Sequence, residues 1–319
     1  MITILGDLIA DFNLRIASFP VQAGALIRAD YLSLGPGGAS NVAIVAARLG
    51  LSVACLGEVG EDRFGQLVVD GLAHEGIDTD LIRRTNASET PVAAVIVDSQ
   101  GEPAYLGYRG NLTIEELLPE WSQAIANSEA LFADGWEDQP HEHQVILAGL
   151  EAAKQAQVPS FFDPGPGNPD LSLAWHEQAA RLATVVLATE SEASRLTGLP
   201  DPLASAKALL EAGPSLIVMK RGVAGCLLLT DEATEIAPGL PVEVRDATGA
   251  GDSLDAAVVF GWLRNLDLIT LGALANAAGA AKVRKLGTGH NVPTRQEIQA
   301  MLAQFEPEAS EVLGEQWGA

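Results

Sequence analysis

The strongest constraint on this chain is a series of short runs with no polar face. ITILG (Ile2–Gly6), LSVACLG (Leu51–Gly57), EALFAD (Glu129–Asp134), VPSFFDP (Val158–Pro164), TVVLAT (Thr184–Thr189) and SLIVMKRG (Ser215–Gly222) all have apolar centres. A strand with one wet face alternates polar and apolar residues. A strand without that alternation is buried on both faces, which is the habit of parallel sheets covered by helices. Helical periodicity fills the gaps, as in Ser40–Leu49 with Gly50 as its stop, and in residues 62–76, 141–157 and 202–213. This order predicts an α/β fold: a doubly wound, mainly parallel sheet with helices on both faces.

Two excursions break the pattern. Residues 11–36 and 91–110 alternate polar and apolar positions, and DSQGEP within the second reads as a hairpin turn. They predict a small separate sheet whose apolar face needs a cover: a ligand, a partner subunit or the main domain. The expected division is a main domain of residues 1–10, 37–90 and 111–305, a small β-sheet of 11–36 and 91–110, and a loose acidic tail of 306–319.

The chain carries 42 acidic against 19 basic residues, a net charge of −23, and no Lys/Arg-rich run. Nucleic acid and anionic membranes are therefore not expected partners. Cys55 and Cys226 lie in apolar runs and are expected as buried, reduced thiols. The N-terminus lacks a basic region and meets Asp7 early, and no apolar run reaches membrane-spanning length. A cytoplasmic protein is expected. His141 and His143 are two apart on a helical stretch, facing different sides, which argues against a shared metal.

Two glycine turns bear on function. LGPGGASNVA (Leu34–Ala43) offers Gly35-x-Gly37 before a helix, with Glu58 about 20 residues on, the spacing of a dinucleotide fingerprint. That alternative is an NAD-dependent oxidoreductase. Against it, the preceding strand alternates, and Ala39 and Ser40 stand where a third glycine belongs. The second turn, RDATGAGDSLDAA (Arg245–Ala257), follows an alternating run, LPVEVR, read as a strand, and precedes a buried helix. It lacks the Gly-Lys-Ser/Thr ending of a P-loop. Gly249, Ala250 and Gly251 leave backbone N–H groups open to an anion, and Asp252 is either a helix cap or a group placed beside that anion.

DATGAGDSLDAA resembles the C-terminal signature of the ribokinase-like (PfkB) family of carbohydrate and nucleoside kinases, and GPGGASNVAIVAARLG resembles its N-terminal signature. TESEASRLTG, VMKRGVAG and ANAAGAAKVRKLGTGHNVPT are similar to further family elements, so the resemblance covers nearly the whole chain. It implies an ATP- and Mg²⁺-dependent phosphotransferase acting on a hydroxyl of a sugar, sugar acid or nucleoside. The small sheet then resembles the family's substrate lid, which implies a homodimer. Asp252 matches the catalytic base and Gly249–Asp252 the anion hole; the helix end is expected to keep Asp252 ionised. Asp11, Gly38 and Asn41 match sugar-binding positions, and Arg109 a basic residue that reaches the substrate in some branches. Glu190 matches a water-mediated Mg²⁺ position. Thr189, Lys220, Gly222 and Asn276 match nucleotide-side positions, with a surface lysine as the plain alternative for Lys220. Asp246 and Thr248 match a monovalent-cation (K⁺) site, although Asp246 also reads as a turn stabiliser. Trp136 and Glu137 are lining candidates. Without an evident aromatic pair to stack a base, a sugar or sugar acid is expected over a nucleoside. Two departures stand out: Ala257 replaces a common Gly, and FFDPGPGNP lacks the Asn and Arg of a DxNxR element.

Overall fold

The computed structural model describes every residue except 102, 137–141, 167–172 and 318–319. Its strands are β1 (Ile2–Leu5), β2 (Leu8–Arg15), β3 (Tyr31–Gly38), β4 (Val53–Gly60), β5 (Ile82–Thr85), β6 (Val92–Val97), β7 (Pro103–Tyr108), β8 (Leu131–Asp134), β9 (Ser160–Asp163), β10 (Val185–Thr189), β11 (Leu216–Lys220), β12 (Cys226–Leu229) and β13 (Thr234–Ala237). The large sheet has the order β13-β12-β11-β10-β9-β8-β1-β4-β5. It is parallel except for β12 and β13, an antiparallel pair at one edge.

The apolar runs feed two cores at once, because side chains alternate across a strand. Ile2, Ile4, Phe132, Phe161, Leu187 and Val218 pack into one face, and Leu5, Leu131, Ala133, Phe162, Val186 and Ile217 into the other. On the first face lie the helices Ala250–Leu263 and Leu268–Val283, buried nearly all round. Small residues let them approach closely: a Cβ on Gly261 would lie 2.4 Å from Leu271 Cδ1. Ala257 is fully buried in this core.

The small sheet has the order β3-β2-β6-β7. Register divides its faces. Asp11 pairs with Gly35 and Ala93, and Ala93 with Gly107, so the carboxylate stands among the smallest residues. Phe12 pairs with Leu34 and Ala94, and Ala94 with Leu106, which makes the other face apolar. Leu34 and Leu106 are exposed on it.

Two expectations are corrected. LPVEVR is not a strand; it runs irregularly, and Arg245 and Asp246 donate their N–H groups to Val283 O. The tail is not loose, for Pro307–Gln316 is a helix. Its Ala309 and Leu313 are buried, Trp317 stacks on Phe260 with ring centres 5.2 Å apart, and the Arg295 guanidinium lies over Trp317. Its acidic Glu308 and Glu311 are exposed, away from that packing. Among the described residues no helix is long and apolar enough to cross a membrane.

Candidate active site

The large sheet changes winding direction between β1 and β8, the place where open α/β sheets leave a crevice at their strand ends. Asp134 closes β8, Asp163 closes β9, Thr189 closes β10 and Lys220 closes β11. The inner face of the small sheet covers that crevice, enclosing a cavity of about 400 Å³. Of the residues singled out in the sequence, Asp11, Gly38, Asn41, Arg109, Trp136, Thr248, Gly249 and Asp252 line this one cavity. Glu137 lies outside the described residues, as does His141.

Gly249 takes a left-handed conformation (φ +77) and opens the helix Ala250–Leu263 with no side-chain cap. The first N–H groups of a helix have no intrahelical acceptor, which leaves those of Gly251 and Asp252 without one, next to Gly249 and Asp252 in the cavity lining. Asp252 does not cap its own helix. Its Oδ2 accepts from Asn41 Nδ2 at 2.8 Å, and Asn41 Oδ1 accepts from Gly289 N at 2.9 Å. Burial, with Asp163 adding to it, pushes the Asp252 carboxyl up to about 6 against the pull of Asn41, Lys220 and Lys282. The carboxyl therefore sits above its ordinary value, yet stays mostly ionised at neutral pH, as expected.

Asp11 Oδ2 accepts from Thr288 Oγ1 at 2.6 Å, tying the small sheet to the loop after Leu268–Val283. Burial raises its carboxyl to about 7. The GPGG run leaves room for this group. A Cβ on Gly37 would sit 2.1 Å from Asp11 Cγ, and Gly38 (φ +58) turns the chain into the helix Ser40–Leu49. Glu58 is buried, bonded by Thr113 N and paired with Arg83, so it reaches no cofactor ribose. The dinucleotide reading therefore fails on both of its parts.

Several site residues escaped the sequence reading. Asp7, Asp134 and Asp163 also line the cavity. Asp134 is 3% exposed and faces Asp163 in register. Burial, followed by Asp7, Asp163 and Asp252, holds its carboxyl well above the usual range. The available signal was an acid closing an otherwise apolar strand. Tyr105 and Trp136 meet edge to face in the cavity lining with ring centres 6.4 Å apart, an aromatic contact that the sequence does not show, though not a parallel pair set to sandwich a base.

The nucleotide-side residues lie outside the cavity. Lys220 is no surface lysine: it is 8% exposed, with Nζ 2.9 Å from Asp163 Oδ2 and 3.0 Å from Asp255 Oδ2. It packs against the Gly249–Asp252 turn, since a Cβ on Gly251 would lie 3.6 Å from Lys220 Nζ. Gly222 (φ +55) starts the short turn Gly222–Ala224. Asn276 donates to Ala237 O and Pro238 O, pinning the segment opposite that turn. Thr189 caps the helix Glu190–Thr197, reciprocated by Glu192. Glu190 is partly exposed and paired with Arg221 at 2.7 Å. An accessible carboxylate suits a water-mediated hold on Mg²⁺, which keeps most of its own waters.

A monovalent cation fits less well. Asp246 accepts from Thr248 N and Gly287 N, which is the turn-stabilising role. Lys282, 0% exposed, places Nζ 3.2 Å from Asp246 O and 3.7 Å from Asp246 Oδ2. A second cation about 4 Å from that ammonium would meet a repulsion of roughly 4 kcal/mol at an effective dielectric of about 20.

A family model described as pfkB family carbohydrate kinase matches residues 1–295. The ribokinase of Mus musculus is 29% identical over 314 residues, covering 94% of this chain and 94% of its own length. The nucleoside kinase of Methanothermobacter thermautotrophicus is 27% identical over 307 residues, covering 95% and 96%. A solved structure of Arabidopsis thaliana ribokinase complexed with ribose and ATP shares the fold, with a TM-score of 0.81 and 23% identity over 94% of this chain and 98% of that one. With the family match running from the first strand to the start of the helix Arg295–Phe305, the chain belongs to the pfkB family of carbohydrate kinases, phosphotransferases whose acceptor is a hydroxyl group.

Proposed function

We propose that this protein is an ATP-dependent kinase that transfers the γ-phosphoryl group to a hydroxyl of a neutral sugar. The observation that carries the reading is Asp252, held by Asn41 in one cavity with Asp11 and beside an uncapped helix start. Asp252 accepts the hydroxyl proton as the oxygen attacks phosphorus. With a carboxyl near 6 it is ionised at neutral pH yet basic enough to take that proton. In a loose phosphoryl transition state the proton can move late, and positioning does most of the work. The N–H groups of the Gly249–Asp252 turn receive the developing phosphoryl charge, that of Ala250 after giving up its hydrogen bond to Ala247 O. Asp11 and Asn41 accept from and donate to sugar hydroxyls, and the backbone at Gly38 allows close approach. Glu190 would hold Mg²⁺ through water, and the ion would supply charge neutralisation for the phosphate oxygens.

Charge favours a neutral acceptor over a sugar acid. Asp7, Asp11, Asp134, Asp163 and Asp252 line the cavity, against Arg109 as the one cation among its described lining residues; an added anion would meet the ionised Asp252 and would raise the cost of ionising Asp11 and Asp134 further. A nucleoside is the second reading, supported by the Tyr105–Trp136 pair, which puts aromatic surface in the cavity lining. The apolar outer face of the small sheet, with Leu106 66% exposed, supports a homodimer formed through that sheet. We place the enzyme in the cytoplasm, where ATP is supplied. The test is a coupled ADP-release screen over pentoses, hexoses, sugar acids and nucleosides, with Asp252→Ala as control. Activity on a neutral sugar that vanishes in the variant supports the reading. Turnover of sugar acids alone refutes the charge account, and no ADP release with any acceptor refutes the kinase.

A further inference from the structure

We propose that the buried ammonium of Lys282 takes the place of a monovalent cation beside the anion hole, so that the enzyme works without K⁺. The inference rests on the kinase reading only for its activity arm. Lys282 lies in the helix Leu268–Val283 and is fully enclosed. Around Nζ stand three oxygens: Asp246 O at 3.2 Å, Lys285 O at 3.4 Å and Asp246 Oδ2 at 3.7 Å. Two backbone carbonyls and a carboxylate are the donor chemistry that a monovalent cation takes, and they match the three N–H donors of an ammonium. A neutral amine would turn its lone pair toward one of these oxygens, so the set selects the charged form.

The location gives the charge its purpose. A Cβ on Gly249 would lie 3.5 Å from Lys282 Cε, so the end of the side chain lies against the first glycine of the anion hole. Burial lowers the Lys282 pKa, while Asp246 and Asp252 act to retain its proton and Lys285 opposes them. Asp246 is engaged on both oxygens, by Thr248 N and Gly287 N, which fixes the turn before Gly249 to the loop 285–288. A diffusible cation would have to find this carboxylate and leave again. A lysine delivers the same charge as a covalent part of the fold, at no binding equilibrium. Lys282 is therefore a positioning and charge-balancing residue, acting through the Gly249–Asp252 turn.

The experiment compares the full-length protein and Lys282→Met in chloride salts of K⁺, NH₄⁺ and tetramethylammonium at equal ionic strength. The native protein is expected to show the same turnover and the same melting temperature in all three. Lys282→Met is expected to lose turnover by about a hundred-fold in tetramethylammonium, the scale of losing one anion-hole donor. K⁺ or NH₄⁺ then restores much of that loss and raises the variant's melting temperature, as a ligand bound only to the native state must. Activation or specific stabilisation of the native protein by K⁺ overturns the proposal, and this arm needs no variant to fold. A folded variant that K⁺ and NH₄⁺ neither rescue nor stabilise overturns it as well. The melting comparison uses no substrate, so it stands or falls apart from the kinase reading.

Discussion

Replacing Asp252 by Asn should make the protein more stable and nearly inactive. Folding raises this carboxyl from 3.8 to about 6. A carboxyl with a raised pKa stabilises the native state only while protonated. That contribution is fully present below 3.8 and is lost as pH climbs through about 6. A shift of about 2 units corresponds to roughly 3 kcal/mol at neutral pH, which is the cost of keeping Asp252 ionised in place. Asn has the same shape, and its carbonyl oxygen can still accept from Asn41 Nδ2, so the hydrogen bond survives without the charge. Because Asp252 faces a cavity that water enters, the expected gain is about 1–3 kcal/mol. Urea unfolding at neutral pH should show a higher midpoint for the variant with an unchanged slope. The advantage should shrink as pH falls below about 6, where the native side chain takes up its proton. Turnover should fall by about 10²–10⁴, as for loss of a general base. An Asn variant no more stable than the native protein at neutral pH would refute the claim that this carboxylate is held ionised against its surroundings.

Three further outcomes follow from neighbouring contacts. Asn41→Ala removes a hydrogen bond to the charged form of Asp252, so the acid limb of kcat/KM should move above about 6, by about one pH unit; an unmoved limb would mean that Asn41 does not tune the base. Thr288→Val deletes the donor that lowers the Asp11 carboxyl and ties the small sheet to the core. It should raise KM for the acceptor more than it lowers kcat, most strongly at neutral pH, as steady-state kinetics on the purified variant would show. Lys220→Met leaves Asp163 and Asp255 buried without their shared cation and should cost about 3–5 kcal/mol in urea unfolding; a loss below 1 kcal/mol would mean that one of those carboxyls is already protonated.

Much of the fold was legible because its signal is local. An apolar run such as TVVLAT specifies a strand buried on both faces whatever surrounds it. The alternation over β2 and β3 marks a sheet with two unlike faces, and the register brings Asp11 to one and Phe12 to the other. Of the cavity residues that the sequence made visible, Asn41 and Asp252 sit within or beside glycine-rich turns, where composition itself is unusual, while Asp11, inside β2, was marked only by the family resemblance. What remained hidden depends on contacts distant in sequence. Lys220 and Asp163 are 57 positions apart, so the lysine reads as a surface charge until the strand order sets β9 and β11 on either side of β10. Tyr105 and Trp136 become a pair only when the small sheet folds over β8. LPVEVR has a strand's alternation but finds no neighbouring strand, and the N–H of its last residue, Arg245, goes to Val283 O at the end of the helix Leu268–Val283. The acidic tail misled in the opposite way: its charge is visible, while Leu313 and Trp317, which anchor it, are single residues in a polar context.

The crowding of carboxyls in the cavity has a calorimetric consequence. Burial pushes the Asp11 carboxyl up to about 7 and holds that of Asp134 well above the usual range, so at neutral pH these two, more than the mostly ionised Asp252, are a reservoir of exchangeable protons in the cavity. An acceptor that donates hydroxyl hydrogens to these oxygens favours their ionised forms and should drive protons into solution as it binds. The measured heat of binding should then depend on the ionisation enthalpy of the buffer, and its slope would count the protons that leave before any phosphate has moved.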